Sequence, residues 1–160
     1  MAHVELSLPP LPAHVRTARL VVVAAARRAG LDDSLVDELR LALGEACSRA
    51  VGLHAKHAPT APVRVTVSDD ATGLTITVVD EGPAAEPTSG DLARDILDSA
   101  GDDDIDDVVD PDVALAVLRG LVDDIEIDVT STGTTVTMRW PLPPRPVGVS
   151  GPGGTQVSQV

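Results

Sequence analysis

Glu45 and Arg49 stand four residues apart in the stretch LALGEACSRAV, residues 41–51. In a helix that spacing puts both side chains on one face, one turn apart. A glutamate four residues before an arginine is the favourable order for a surface ion pair, worth about 0.2–0.5 kcal/mol. The chemical alternative is an altered magnesium site. Glu45 would then be a surviving carboxylate, and Arg49, which has no acceptor atom, could not bind the metal. The two residues alone leave both readings open.

Other reactive side chains offer less. His54 and His57, in HAKH, have no evident third partner for a metal, and as cations they would suit the end of a helix. Cys47 lies near an apolar stripe and reads as packing, as does Trp140 at the end of a strand. No phosphate-binding P-loop, G-x-S-x-G or zinc-finger spacing occurs.

The elements that must position these residues follow from periodicity. HVELSL, residues 3–8, alternates as a strand, and prolines at 9, 10 and 12 end it. Pro12 suits the first turn of a helix. Val15, Ala18, Val22, Ala25 and Ala29 continue that helix, and Gly30 stops it. Asp32, Asp33 and Ser34 offer caps for a second helix, whose buried stripe is Leu35, Leu39, Leu43, Ala46 and Ala50. VRVTVSD from Val63 and LTITVVD from Leu74 form a hairpin around residues 69–73. Residues 82–110 read as an acidic loop. A third helix from about Pro111 carries Val113, Val117, Leu118 and Leu121. DIEIDVT from Asp124 and TTVTMRW from Thr134 close the fold as a second hairpin around residues 131–133. From Pro143 the chain is rich in Pro and Gly and reads as a disordered tail, so the expected division is a domain at 1–142 and a tail at 143–160. The order of elements predicts an α+β fold with helices on one mainly antiparallel sheet.

Composition narrows the function. The chain has 160 residues, enough for one domain, and 43% of them are hydrophobic. With no Phe, no Tyr and one Trp, stacking on nucleic-acid bases is nearly unavailable. The formal charge of −13 argues against binding a phosphate backbone, so no direct nucleic-acid partner is expected. Thirteen Asp and Glu against one Arg fall between residues 80 and 112, which gives −12 of that total. The single cysteine fits a reducing compartment. No apolar run is long enough to span a bilayer, and the start has no leader pattern. A soluble cytoplasmic protein is expected.

Three stretches, in this order, resemble the GHKL (histidine kinase-like) ATPase superfamily. LRLALGEACSRAV, residues 39–51, resembles its N-box helix. VVDEGPAAEP, residues 78–87, resembles its first glycine box, D-x-G-x-G followed by proline. LAVLRGLVDDIEI from Leu115 and GTTVTMRW from Gly133 resemble the helix and strands after the nucleotide lid. Within the superfamily the chain is most similar to the anti-sigma factors with serine kinase activity of bacterial partner-switching systems, over residues 3–142.

The resemblance implies a two-layer α/β sandwich of the GHKL type that binds ATP. It places the general base at Glu45, the aspartate that accepts from the adenine amino group at Asp80, the next glycine at Gly82, and a threonine pair beside the adenine at Thr134 and Thr135. The chain departs from the pattern elsewhere. The magnesium-binding asparagine falls on Arg49, the second glycine of the box on Ala84, and the lid G-x-G on Asp112-Val113-Ala114. ATP is therefore an implied ligand whose binding is in question, and magnesium more so. The implied partners are a sigma factor and an antagonist with a small STAS-type fold, and family members usually dimerise. Two functions compete: an ATP-dependent serine/threonine kinase acting on the antagonist, and an anti-sigma binding module with a degenerate ATP site.

Overall fold

The computed structural model describes residues 2–83 and 111–145. The expected elements form in the expected order. They are β1 (His3–Leu8), α1 (Pro12–Ala29), α2 (Asp33–His57), β2 (Val63–Asp69), β3 (Leu74–Asp80), α3 (Pro111–Leu121), β4 (Asp124–Thr130) and β5 (Gly133–Trp140). The fold is α+β. The strands make one five-stranded sheet in the order β1-β2-β3-β5-β4, and every neighbouring pair is antiparallel.

Local signals set the helix ends. Gly30 takes the left-handed conformation, φ 95°, that closes α1, and the Leu31 N–H reaches back to the Ala26 carbonyl at 3.0 Å. Asp32 caps α2 by accepting from the Ser34 N–H at 2.8 Å. That bond and the Ser34 hydroxyl hold the Asp32 carboxyl below its ordinary range. In the β2–β3 turn the Asp70 carboxylate accepts from the N–H groups of Thr72 and Gly73, at 2.7 and 3.2 Å.

The helices cover one face of the sheet, and the core lies between. It is aliphatic: Val63, Val65, Leu74, Ile76, Val78, Val136 and Met138 from the sheet pack against Val22, Val36, Leu39, Leu43 and Leu118 from the helices. Trp140 is buried at the core's edge, and its indole N–H donates to Glu38 Oε1 at 2.9 Å. The open face carries Thr66, Thr77 and Thr137, which are successive cross-strand partners.

Two helical details differ from the periodic reading. Leu35 is only half-buried at the start of α2. On α3 it is Ala114 and Leu118 that enter the core, whereas Val113 and Val117 are 52% and 44% exposed. The small Ala114 marks the buried face, because α3 packs closely on α2.

Residues 84–110 and 146–160 lie outside the described residues, and with them Ala84, the acidic stretch and most of the expected tail. Arg145, at the start of that tail, pairs with the buried Asp69, which also accepts from the Ala2 N–H at 2.7 Å.

Candidate functional site

The site residues converge where the sheet's two central strands meet α2. Asp80 is the last residue of β3, and Thr134 is its cross-strand partner in β5. Alternation along β5 turns Thr134 toward α2 and leaves Thr135 on the open face, so the structure separates the expected threonine pair. Gly133 brings the two strands close, since a Cβ there would run into the Asp80 carbonyl oxygen.

Arg49 reaches into this junction from α2. Its Nη1 donates to Asp80 Oδ2 at 2.6 Å, and its Nη2 lies 3.4 Å from Thr134 Oγ1. The arginine side chain is 6% exposed and the aspartate 2%, so this is a buried ion pair. The Glu45–Arg49 ion pair, one of the two readings left open by the sequence, does not form. Burial decides the choice: the Asp80 carboxylate has almost no contact with water, so the arginine satisfies that charge rather than a partly hydrated glutamate. Glu45 is half-buried and has no hydrogen bond or ion pair among the described residues. Arg49 Nε is buried without a hydrogen-bond partner.

The remaining contacts fix the chain after β3. The Gly82 N–H donates to Asp80 Oδ1 at 3.1 Å, so both carboxylate oxygens are engaged. A Cβ on Gly82 would fall 2.9 Å from Leu53 Cβ, which explains the glycine at this place. His54 is fully buried, and the reading of it as a charged helix-end residue is corrected. Its Nδ1 lies 2.8 Å from the Ala61 carbonyl, and its Nε2 accepts from the Glu81 N–H at 2.8 Å. Those partners select the tautomer with the proton on Nδ1. A signal for this was present: His54 stands four residues after Ala50, in line with the buried stripe. Ala114 is buried on α3, and Asp112 is exposed at its start. Cys47 is buried as packing, and burial pushes its thiol up to about 12, against a smaller opposing pull from Arg19.

Residues 8–140 match the histidine kinase-like ATPase domain. The chain belongs to that family. It is 25% identical over 136 residues to a serine-protein kinase RsbW of Bacillus licheniformis, a match covering 85% of this chain and 83% of the relative. A second RsbW from that species is 26% identical over 140 residues, with the same shares covered. Among solved structures, the RsbU and RsbW domains of Rv1364c from Mycobacterium tuberculosis superpose with a TM-score of 0.63 at 18% identity. That match covers 89% of this chain and 33% of the larger one, and it bears out the expected α/β sandwich. The resemblance to the anti-sigma and serine kinase group agrees with these relatives. Among the described residues, no helix is long and apolar enough to cross a membrane.

Proposed function

We propose that this chain is an anti-sigma regulator that works by contact. It binds a sigma factor and exchanges it for a STAS-type antagonist, with phosphoryl transfer weak or lost. One observation carries the reading: Arg49, where the family resemblance puts the metal-binding asparagine, is turned onto Asp80. A guanidinium offers no lone pair to magnesium. Phosphoryl transfer depends on metal and phosphate positioning, and the lid positions Asp112 and Ala114 lack the glycines whose N–H groups would approach a phosphate. The residues present therefore do not fit a magnesium–nucleotide complex.

Contact surfaces support the same reading. A cleft of about 520 Å³ between α1 and α2 is bordered by Arg16 and Arg19. Neither arginine has an ion pair or hydrogen bond among the described residues, although acidic groups outnumber basic ones by 25 to 12. Arg16 is exposed and open to a carboxylate on a partner, whereas the Arg19 guanidinium lies over Gly44 with its Nε buried. The acidic stretch 80–112 suits a basic one, and a homodimer is compatible with the fold.

The second reading, an ATP-dependent serine/threonine kinase acting on the antagonist, is favoured by Glu45, whose carboxylate has no partner among the described residues. The deciding experiment mixes the chain with a sigma factor, an antagonist and labelled ATP. We expect the two proteins to compete for the chain without ATP, and no phosphoserine to form. Phosphorylation at the roughly 1–100 s⁻¹ typical of kinases would replace the first reading with the second. Arg49→Asn alone is expected to leave phosphorylation weak, because the lid stays deficient.

A further inference from the structure

We infer that Arg49 is a built-in occupant of the nucleobase subsite: the chain's own guanidinium takes the donor place at Asp80 and Thr134 that a free aminopurine would take. The inference rests on the family reading of Asp80 as the base-recognising carboxylate. It goes beyond loss of the metal, since it concerns the other end of the nucleotide.

The geometry argues for occupation rather than mere damage. The junction keeps the parts that would receive a base: a buried carboxylate at the end of β3, a threonine hydroxyl beside it on β5, and Gly82 closing over α2. What has changed is who supplies the donor. Nη1 lies 2.6 Å from Asp80 Oδ2, the distance of a strong charge-assisted bond. Oδ1 accepts from the Gly82 N–H, so both carboxylate oxygens are engaged within the chain. The guanidinium is held by its outer edge alone, because Nε is buried with no partner. Edge-on binding is also how a carboxylate receives the N–H of a planar heterocycle.

A tethered donor outcompetes a free one. Arg49 is already in place, whereas a nucleotide must lose translational freedom on binding. It must also expel a buried cation from its counter-charge. Breaking a buried pair weakens a competing equilibrium on the order of a hundredfold or more. The same contact does mechanical work, since Arg49, Leu53 and His54 on successive turns of α2 all engage residues 80–82. The junction is thus held closed from inside, and partner exchange needs no nucleotide.

Thermal shift and titration calorimetry on the full chain test this, with ADP and with methylguanidinium as probes. The unaltered chain should show no shift at millimolar concentrations of either. Arg49→Ala should melt lower, and both probes should raise its midpoint. Arg49→Asn, a smaller change, should gain ADP binding by at least about a hundredfold over the unaltered chain. Adding Asp80→Asn to either variant should abolish these gains. Micromolar ADP binding by the unaltered chain, lost with Asp80→Asn, would overturn the inference. So would folded variants that respond to neither probe. If neither variant folds, side-chain nitrogen spectra of the unaltered chain decide. Hindered Arg49 Nη protons that persist in millimolar ADP support the inference, and their release by ADP overturns it. Capture of sigma factor and antagonist is measured separately, so a chain that binds neither partner sinks the functional proposal alone.

Discussion

Breaking the Arg49–Asp80 pair costs far more stability than the intact pair contributes. A buried pair costs several kcal/mol to desolvate, and its attraction roughly offsets that cost. Removing one member leaves a lone charge with 6% or 2% exposure. Arg49→Met or Asp80→Leu alone should therefore destabilise the fold by about 3–5 kcal/mol, whereas the two together should be close to neutral. Urea denaturation of the two single variants and the double closes the cycle. Single variants with losses near those of a surface pair would mean that water reaches the junction. Cys47 gives a second prediction at this scale. Burial raises its pKa from the ordinary thiol value near 9.0 to about 12. A raised value favours the folded state below pH 9, and that contribution is lost as pH rises from 9 toward 12. Thiol reagents at pH 8 should leave Cys47 unmodified in the folded chain and label it in denaturant. Cys47→Ala should remove this part of the alkaline loss of stability. Part of the site was legible at the level of residues. Asp80 and Gly82, singled out by type and spacing, stand together at the junction with Arg49. The Arg49–Asp80 bond was not legible, because 31 residues separate its ends and a local neighbour, Glu45, offered the obvious alternative.

At the scale of elements, the antiparallel β3–β5 pair is pinned at both ends by glycine. Gly73, just before β3, lies against the Trp140 carbonyl at the end of β5. Gly133, at the start of β5, lies against the Asp80 carbonyl at the end of β3. Neither place has room for a Cβ, so Gly133→Ala must push the central strands apart where the site is built. It should lower the melting temperature sharply and loosen the Asp80–Thr134 register. Gly52 on α2 is the control, since a Cβ there would meet nothing within 4 Å. Gly52→Ala should stabilise the chain by about 0.8–1 kcal/mol through helix propensity alone. Melting curves of the two variants should move in opposite directions, and a stabilising Gly133→Ala would mean that the strands are not in this register. Strand and helix limits were readable to within a residue, because prolines, glycines and caps stand at nearly every boundary. The face of α3 was less readable. Val113 and Val117 are the more apolar pair, yet close packing against α2 selects Ala114 and Leu118 for the interior.

For the whole molecule, charge and burial divide the work. The Asp80 to Asp112 stretch carries −12, and the rest of the chain is near neutral at −1. Charges in water are screened beyond about 8 Å at physiological ionic strength, whereas the buried Arg49–Asp80 pair has little solvent to screen it. Salt should therefore separate two properties that usually move together. The fold should melt at nearly the same temperature in low and high salt. Association with a basic partner should slow by about tenfold or more, because steering by a concentrated negative field is lost. Surface plasmon resonance across a salt series, beside melting curves in the same buffers, makes the comparison. An association rate that does not change with salt would mean that exposed charge, the acidic stretch included, does not steer the encounter.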